Sequence, residues 1–428
     1  MRILVEPSGY PSPLRNVGDI AMQRTALTRL AQAWPGATIE VLSDSPEHFP
    51  FYAENVKPLS TLGRRLWLSG PMRNRRVPEW LQRWGNNLLW SYPEVRQQVS
   101  KFRLHALPSH YSKAVTSFLH TMSDVDVLVV CGMGGVTDAF ELYALDLLET
   151  INKVKENGKS IVLMLGQAFG PIAEGTVLCE AARKTLPAVD FIGLRESRAS
   201  EPLLKALGVD PSRVMVTGDD ALEIAVQNRL NESGNGIGVN VRVAPYSEVN
   251  RKDIESLGSV LQRISAQRSV DLIPIPCSTY SEEDDSAFIQ LAVNRSIKTQ
   301  TPDLVTPEYM IGQLQRCRVA VLGSYHAAVF ALAQGIPVVG IYRSPYYRDK
   351  FLGLAHMFGP GVVPINLAEE DWTSSLESKV FALQQVAPDL RQELHGIADE
   401  LLRTGRETFR QITAIVNKRL CFSEALPG

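Results

Sequence analysis

Short runs of consecutive apolar residues alternate along the chain with longer stretches whose apolar positions recur at helical spacing. Residues 3–5 read as a strand, 20–33 as a helix and 38–42 as the next strand. Residues 125–131, 160–165, 191–194 and 214–217 are further strands, each ending in a Gly-rich or charged loop that opens a helix. Continuous apolar strands of this kind belong to parallel sheets covered on both faces. The pattern restarts after Asn231-Glu232-Ser233-Gly234-Asn235-Gly236, the clearest linker signal. Strands are then expected at 237–241, 270–276, 319–323 and 337–342, with helices at 253–266, 281–293, 307–316 and 327–334. Residues 374–419 read as helical. The expectation is two α/β domains, 1–232 and 236–395, followed by a helical tail at 396–428.

The segment 64–103 departs from this alternation. It holds four of the six tryptophans (Trp67, Trp80, Trp84 and Trp90) and nine basic residues against two acidic ones. Trp80 and Trp84 share a face if this part is helical. One reading is an insertion that covers a cleft and touches an anionic or lipid-linked acceptor, with peripheral membrane contact. The other is an extra packed layer with a solvated basic face, which the general behaviour of charge runs favours.

Composition changes the picture mainly by exclusion. With 44 Lys+Arg against 46 Asp+Glu over 428 residues, the chain lacks the basic excess of a nucleic-acid binder. A hydrophobic content of 45% removes wholesale disorder. The five cysteines have no zinc-site or redox-pair spacing, and buried reduced thiols are expected. No metal site and no cofactor is expected. The N-terminus runs straight into a strand, and no apolar run is long enough to span a bilayer, so the expected location is cytoplasmic.

Ligands of open parallel sheets collect at the carboxyl ends of strands, where helix N-termini offer unpaired N–H groups. The loops after strands are therefore the candidate sites. His326, in Gly323-Ser324-Tyr325-His326, falls in the first turn of a helix; the local dipole favours its neutral form and a bound anion the imidazolium. It is a candidate proton carrier, with Ser324 and Tyr325 beside it; the plainer alternative is a capping histidine. Arg195, at a strand tip, suits a carboxylate or phosphate gripped by two hydrogen bonds, or a simple salt bridge. Ser197 is the expected cap there, with Arg198 flanking it. Arg343, Arg348 and Lys350 follow another strand and form either an anion site or a solvated run.

Gly132-Met133-Gly134-Gly135 starts like a dinucleotide fingerprint but has Thr137 where the third glycine should fall. In Asn16-Val17-Gly18-Asp19, Asp19 is most simply a cap, with Asn16 and Gly18 able to line a cleft. Asp219-Asp220 is a cap or a carboxylate pair. Asp124 and Asp126 resemble a metal pair but precede their strand, at the wrong edge of the sheet.

Taken in order, these loops resemble the polysaccharide pyruvyltransferase family. Asn16-Val17-Gly18-Asp19 resembles its Asn-x-Gly-Asp element, and residues 132–135 with Asp138 its Gly-rich turn followed by Asp. Gly166-Gln167 with Gly170-Pro171 is similar to its Gly-Gln…Gly-Pro loop, and Arg195-Glu196 with Ser200 to its Arg-acid…Ser. Asp219-Asp220-Ala221 stands where the family has Asp-Pro-Ala. His326-Ala327, Phe330-Ala331 and Gly335-Ile336-Pro337 resemble its most characteristic stretch. One departure is Ser324, where the family commonly has Arg; Arg198, Arg343 and Arg348 are candidate replacements.

The resemblance implies two Rossmann-like domains facing a cleft, the GT-B arrangement. It implies phosphoenolpyruvate as co-substrate and a sugar hydroxyl pair of a glycan or lipid-linked precursor as acceptor, giving a pyruvate ketal. On that basis His326 would act in proton transfer, Arg195 would hold an anionic group of the donor, and a cation from 343–350 would assist phosphate departure. Asn16, Gly18, Asp19, Gly134, Gly135, Gln167 and Asp219 would line the cleft or orient acceptor hydroxyls. A nucleotide-sugar glycosyltransferase on the same fold, a non-catalytic glycan-binding descendant and a dinucleotide-dependent reductase are the competing readings.

Overall fold

The computed structural model describes residues 1–9, 14–68, 108–229, 234–293 and 302–424. Residues 69–107, which hold Trp80, Trp84 and Trp90, and the centre of the expected linker, 230–233, lie outside the described residues.

The first lobe carries strands β1 (Arg2–Glu6), β2 (Thr38–Ser43), β3 (Val56–Ser60), β4 (Val127–Val130), β5 (Ile161–Gln167), β6 (Phe191–Leu194) and β7 (Val214–Val216). They form one parallel sheet in the order β3-β2-β1-β4-β5-β6-β7. Its helices are α1 (Val17–Ala33), α2 (Leu62–Leu68), α3 (Ser109–Asp124), α4 (Glu141–Lys155), α5 (Val177–Thr185), α6 (Ser200–Ala206) and α7 (Leu222–Gln227). The second lobe has β8 (Gly236–Asn240), β9 (Leu272–Pro274), β10 (Cys317–Leu322), β11 (Val338–Tyr342) and β12 (Val362–Asn366), parallel in the order β12-β11-β10-β8-β9. Its helices are α8 (Arg251–Arg268), α9 (Asp285–Val293), α10 (Pro307–Leu314), α11 (Tyr325–Ala333) and α12 (Pro345–Phe358).

Two strands were not foreseen, β3 and β12. Both lie at sheet edges and both contain proline, Pro58 and Pro364, which an edge strand tolerates because it need not donate on its open side. The expected tail at 396 does not start there: one helix, α13 (Trp372–Glu424), runs through Pro388 and crosses from the second lobe to the first. Leu376, Val380 and Leu394 pack into the second lobe's core. Phe409, Ile412 and Val416 pack with Ile3, Leu27 and Leu30 of the first.

The strand orders decide where a ligand can sit. The first sheet reverses direction between β1 and β4, and the second between β8 and β10. A crevice opens at such a switch point, outside the carboxyl ends of the strands. The two crevices meet, because the lobes are stitched beside them: Val17 N–H donates to Cys277 O (2.9 Å), Thr279 N–H to Arg15 O (2.9 Å), and Asn16 pairs with Ser278 as an antiparallel bridge.

The basic segment's described beginning is mixed: Arg65 is exposed, whereas its neighbour faces inward. Arg64 is buried and donates to Glu6 at 2.6 and 2.8 Å, and Trp67 packs on Phe118. Asp126 accepts from Arg2 N–H (2.7 Å) and Asp124 from its guanidinium (3.2 Å) at the amino edge of the sheet, a structural arrangement. Cys131, Cys179, Cys277 and Cys317 are buried and free.

Candidate active site

A cleft of about 520 Å³ opens where the switch points meet. Ser8 and Gly9 follow β1, Gly134 and Gly135 follow β4, and Arg195 follows β6. From the second lobe come Arg242 after β8, Ser324, Tyr325 and His326 after β10, and Tyr346, Tyr347 and Lys350 on α12.

His326 lies in the first turn of α11. Ser324 precedes that helix without a side-chain cap; its backbone N–H donates to Asn240 Oδ1 instead (2.8 Å), which fixes the loop against β8. The imidazole Nε2 lies 3.4 Å from Arg195 Nη1 and 3.8 Å from Asp219 Oδ2. Burial, then the charges of Arg195, Lys350 and Arg242, hold the imidazole well below its usual pKa, so it is neutral near neutral pH.

Arg195 is 1% exposed. Its Nη1 donates to Asp219 Oδ2 (3.1 Å), while Asp219 Oδ1 accepts from Ala221 N–H (2.8 Å). Asp219 therefore binds a backbone N–H just before α7 and forms an ion pair at once; Ala221 holds the N-cap position of that helix, which has no side-chain cap. The salt bridge does not exhaust the guanidinium: Nε and Nη2 are buried without a hydrogen-bond partner among the described residues. The guanidinium carbon lies 5.1 Å from the Tyr325 ring centre. An open buried donor costs on the order of 1–3 kcal/mol, so two on one cation mark a place where an acceptor belongs.

Ser197 is not the cap of α6. Glu196 does that work, accepting from Ala199 N–H (2.9 Å), Ser200 N–H (3.0 Å) and the Ser200 hydroxyl. Asp19 is likewise not the cap of α1. Asn16 Oδ1 accepts from Gly18 N–H (3.0 Å) and Asp19 N–H (3.4 Å), leaving the Asp19 carboxyl to face the cleft. Burial raises that carboxyl to about 7, against the pull of Arg195, Lys350 and Arg242. Gly18 packs on the imidazole.

Gln167 does not line the cleft. It is fully buried, and its Nε2 donates to Cys131 O (2.6 Å) and Leu165 O (2.8 Å), which fixes the base of the Gly132 turn. The basic run 343–350 divides. Arg343 donates to Asp253 (3.0 Å) and Leu367 O (3.2 Å) away from the cleft, and Arg348 is exposed and pairs with Asp349. Arg198 is exposed and outside the lining. Lys350 alone of these cations enters the cleft. The reason is local: Ser344 caps α12 and Pro345 starts it, so residues 346 and 350 share a face and 348 points elsewhere.

Sequence reasoning passed over Arg242, Tyr246, Tyr346 and Tyr347. Arg242 is nearly buried and donates to Tyr246 (2.6 Å), to Asp285 (3.3 Å) and to Glu283. Its place just after a strand was the available signal, the same rule that singled out Arg195. Phe140 of the first lobe packs edge-on against Tyr246 and Tyr346 of the second, with ring centres 4.8 and 5.7 Å apart. No group of three or more His, Cys, Asp or Glu among the described residues is placed to hold a metal ion. No described helix is long and apolar enough to cross a membrane.

A two-lobed α/β fold with a cation-lined cleft between its lobes is thus in place before any relative is considered. Residues 16–345 match the polysaccharide pyruvyl transferase family, and the chain belongs to that family. No curated protein matches the chain. Among solved structures, a UGT transferase from Siraitia grosvenorii in complex with UDP gives a TM-score of 0.56 at 10% identity, covering 97% of this chain and 99% of that one. UGT89C1 of Arabidopsis thaliana, complexed with quercetin, gives 0.54 at 12% identity, covering 97% and 99%. UGT71G1 of Medicago truncatula, complexed with UDP-glucose, gives 0.52 at 9% identity, covering 96% and 98%. These likenesses define the fold as GT-B.

Proposed function

We propose that the protein moves the pyruvyl group of phosphoenolpyruvate onto two hydroxyls of a sugar in a polysaccharide or glycan precursor, forming a pyruvate ketal and releasing phosphate. The observation that carries this reading is Arg195, a guanidinium buried in the cleft with Nε and Nη2 open. A planar fork of donors of this kind suits the carboxylate or phosphate of such a donor.

The chemistry follows from the charges. In the free cleft, burial and three neighbouring cations keep His326 neutral. A bound donor brings negative charge that offsets those cations, which allows His326 to take up a proton. His326 gives that proton to the methylene carbon as the C=C electron pair moves to it, and positive charge develops at the adjacent carbon. A first sugar hydroxyl bonds to that carbon and loses its proton. The carbon–oxygen bond to phosphate then breaks, phosphate leaves with the electron pair, and the second hydroxyl closes the ketal and loses its proton. Asp19, which lines the cleft from the first lobe, would accept a hydroxyl proton in this scheme.

Thermal denaturation of the full chain with phosphoenolpyruvate, set against UDP-glucose, tests the donor, because a ligand of the folded state raises its midpoint by mass action. A rise with phosphoenolpyruvate alone is expected. A rise with the nucleotide sugar alone would replace this reading with a glycosyltransferase.

A further inference from the structure

Four acids run together up to the start of α9, and the fold uses the last of them differently from the rest. Glu282 is exposed and lines the cleft, Glu283 pairs with Arg242, and Asp284 accepts from Ser286 N–H (2.9 Å). Asp285 is 0% exposed and stands outside the cleft lining. Burying a carboxylate is costly unless donors surround it. Here its Oδ2 accepts from Asn240 Nδ2 (2.9 Å), Cys277 N–H (2.9 Å) and Ser278 N–H (3.0 Å), and its Oδ1 from Arg242 Nη1 (3.3 Å).

These bonds lead to His326 by two separate routes. The first stays in the second lobe. Asn240, also fully buried, directs its amide N–H groups to Asp285 Oδ2 and to Ile275 O (2.8 Å), which leaves its Oδ1 for Ser324 N–H (2.8 Å). Ser324 precedes α11, whose first turn holds the imidazole. The second route crosses to the first lobe. Cys277 and Ser278, whose N–H groups Asp285 holds, are the residues that meet α1: Cys277 O accepts from Val17 N–H (2.9 Å), and Ser278 pairs with Asn16. The residue after Val17 is Gly18, on which the imidazole packs. A single carboxylate thus sets both the helix start that carries the ring and the helix start against which the ring lies.

We propose that Asp285 is a positioning residue for His326, fixing the imidazole from both lobes through Asn240 and through residues 277 and 278 without touching the ligand. Charge is needed as well as shape. In Asp285→Asn the side chain keeps one acceptor oxygen, and its NH2 faces donors whichever way the amide turns: Arg242 on one side, three N–H groups on the other. Arg242 itself keeps Glu283 and Tyr246, so its place in the cleft does not depend on Asp285. Only the consequence for turnover rests on the function proposed above.

The test compares the full chain with Asp285→Asn and with Asp284→Ala, a control that removes only a local bond at the start of α9. Imidazole resonances of isotope-labelled histidine are followed by proton–carbon NMR between about pH 5 and pH 8, with His326 assigned by its loss in His326→Gln. In the wild type the ring is expected to stay neutral over this range, since burial and then Arg195, Lys350 and Arg242 oppose its protonation. In Asp285→Asn it is expected to begin titrating, because a ring that leaves its slot regains water. The charged groups that face it, Arg195, Lys350, Arg242 and Asp219, with Asp19 in the same cleft, are unchanged by the substitution. Loss of the carboxylate's field alone would act the other way and keep the ring neutral. Asp284→Ala is expected to lower the unfolding midpoint and leave the resonance in place. In phosphate release from phosphoenolpyruvate with a sugar acceptor, Asp285→Asn is expected to lose roughly 10–100-fold in kcat, with KM for phosphoenolpyruvate within about threefold.

A ring that stays neutral in folded Asp285→Asn overturns the proposal, as does an equal response in Asp284→Ala or a loss confined to KM. If Asp285→Asn does not fold, residue-level amide exchange of the wild type decides. The N–H groups of Cys277, Ser278 and Ser324 lie outside strands and helices, yet they are expected to be protected as strongly as those of β8, and exchange at the rate of an exposed loop overturns the proposal. A wild type that releases no phosphate from phosphoenolpyruvate would sink the donor reading and leave the response of the imidazole to decide this one.

Discussion

Gly18 and His326 meet across the boundary between the lobes, so closely that a Cβ on residue 18 would lie 1.9 Å from the imidazole Cγ and 2.1 Å from Nδ1. The Asn16 cap fixes the first turn of α1 and the Ser324 N–H to Asn240 bond fixes the start of α11. Neither backbone is free to retreat. The missing side chain at residue 18 is what allows the ring to reach Arg195 and Asp219.

Gly18→Ala is therefore expected to displace the imidazole rather than unfold the chain. Overpacking of this kind costs about 1–3 kcal/mol, readable as a lower thermal midpoint. The effect on turnover should be larger, on the order of 10²-fold, because a displacement of about 1 Å at a reacting group is enough to produce it. Phosphate release from phosphoenolpyruvate in the presence of acceptor is the measurement. A variant that keeps wild-type turnover would show that His326 can work from another rotamer.

Asp219 sets the orientation of Arg195 and carries its counter-charge, with both side chains almost fully buried. Asp219→Ala leaves the guanidinium as an uncompensated buried cation and also removes the bond to Ala221 N–H. Breaking a buried pair on one side costs about 3–5 kcal/mol, so the unfolding midpoint should fall sharply. A bound anion replaces part of the lost charge. Phosphate is thus expected to raise the midpoint of this variant by more than it raises that of the wild type, and an equal rise would separate Arg195 from the anion site.

The strands were legible because parallel strands covered on both faces are nearly continuous apolar runs; β6 spans the expected 191–194 and β11 starts one residue inside its expected range. The rule that ligands gather at carboxyl ends then singled out Arg195 and His326, which the fold brings to 3.4 Å. What stayed hidden depends on angle rather than position. Arg343, Arg348 and Lys350 look alike as a basic run, and only the phase of α12 sends Lys350 inward and Arg348 out. Arg242 looks like any surface arginine until Glu283 and Asp285, some 40 residues on, close around it. Gln167, expected to line the cleft, instead holds backbone carbonyls with its amide, a role that its place in a Gly-rich motif does not distinguish.

Asp19 gives a pH signature whose direction follows from its surroundings. Burial raises the folded carboxyl from the ordinary 3.8 to about 7, with Arg195, Lys350 and Arg242 opposing and Asp219 adding to the rise. Between those values the folded chain keeps a proton that the unfolded chain has released. The carboxyl's contribution to stability is thus fully present below about pH 4 and is lost as pH rises through about 7. Asp19→Asn removes this titration. The midpoint of the wild type minus that of the variant should fall from about pH 5 to about pH 7 and then level off. Denaturation curves of both chains across that range check it, and a difference that does not change with pH would place the carboxyl in contact with solvent.

The long helix α13 ties the lobes together, and its far end should matter to the first lobe as much as to its own. Ile412 is 3% exposed and sits among Ile3, Leu27, Leu30 and Val129, while Asn417 accepts from the Trp34 indole N–H at 2.7 Å. Ile412→Ala leaves a cavity under the first sheet and is expected to cost about 2–5 kcal/mol. The loss falls on a lobe that does not contain residue 412 in sequence, so local readouts can separate the cases. Amide exchange should quicken in β1 and α1 as well as in α13, since these elements share the packed cluster. Faster exchange confined to α13 would mean that the helix end is laid on the first lobe without supporting it, and that the cleft keeps its shape by the stitch at residues 15–17 and 277–279 together with the packing of Phe140 on Tyr246 and Tyr346.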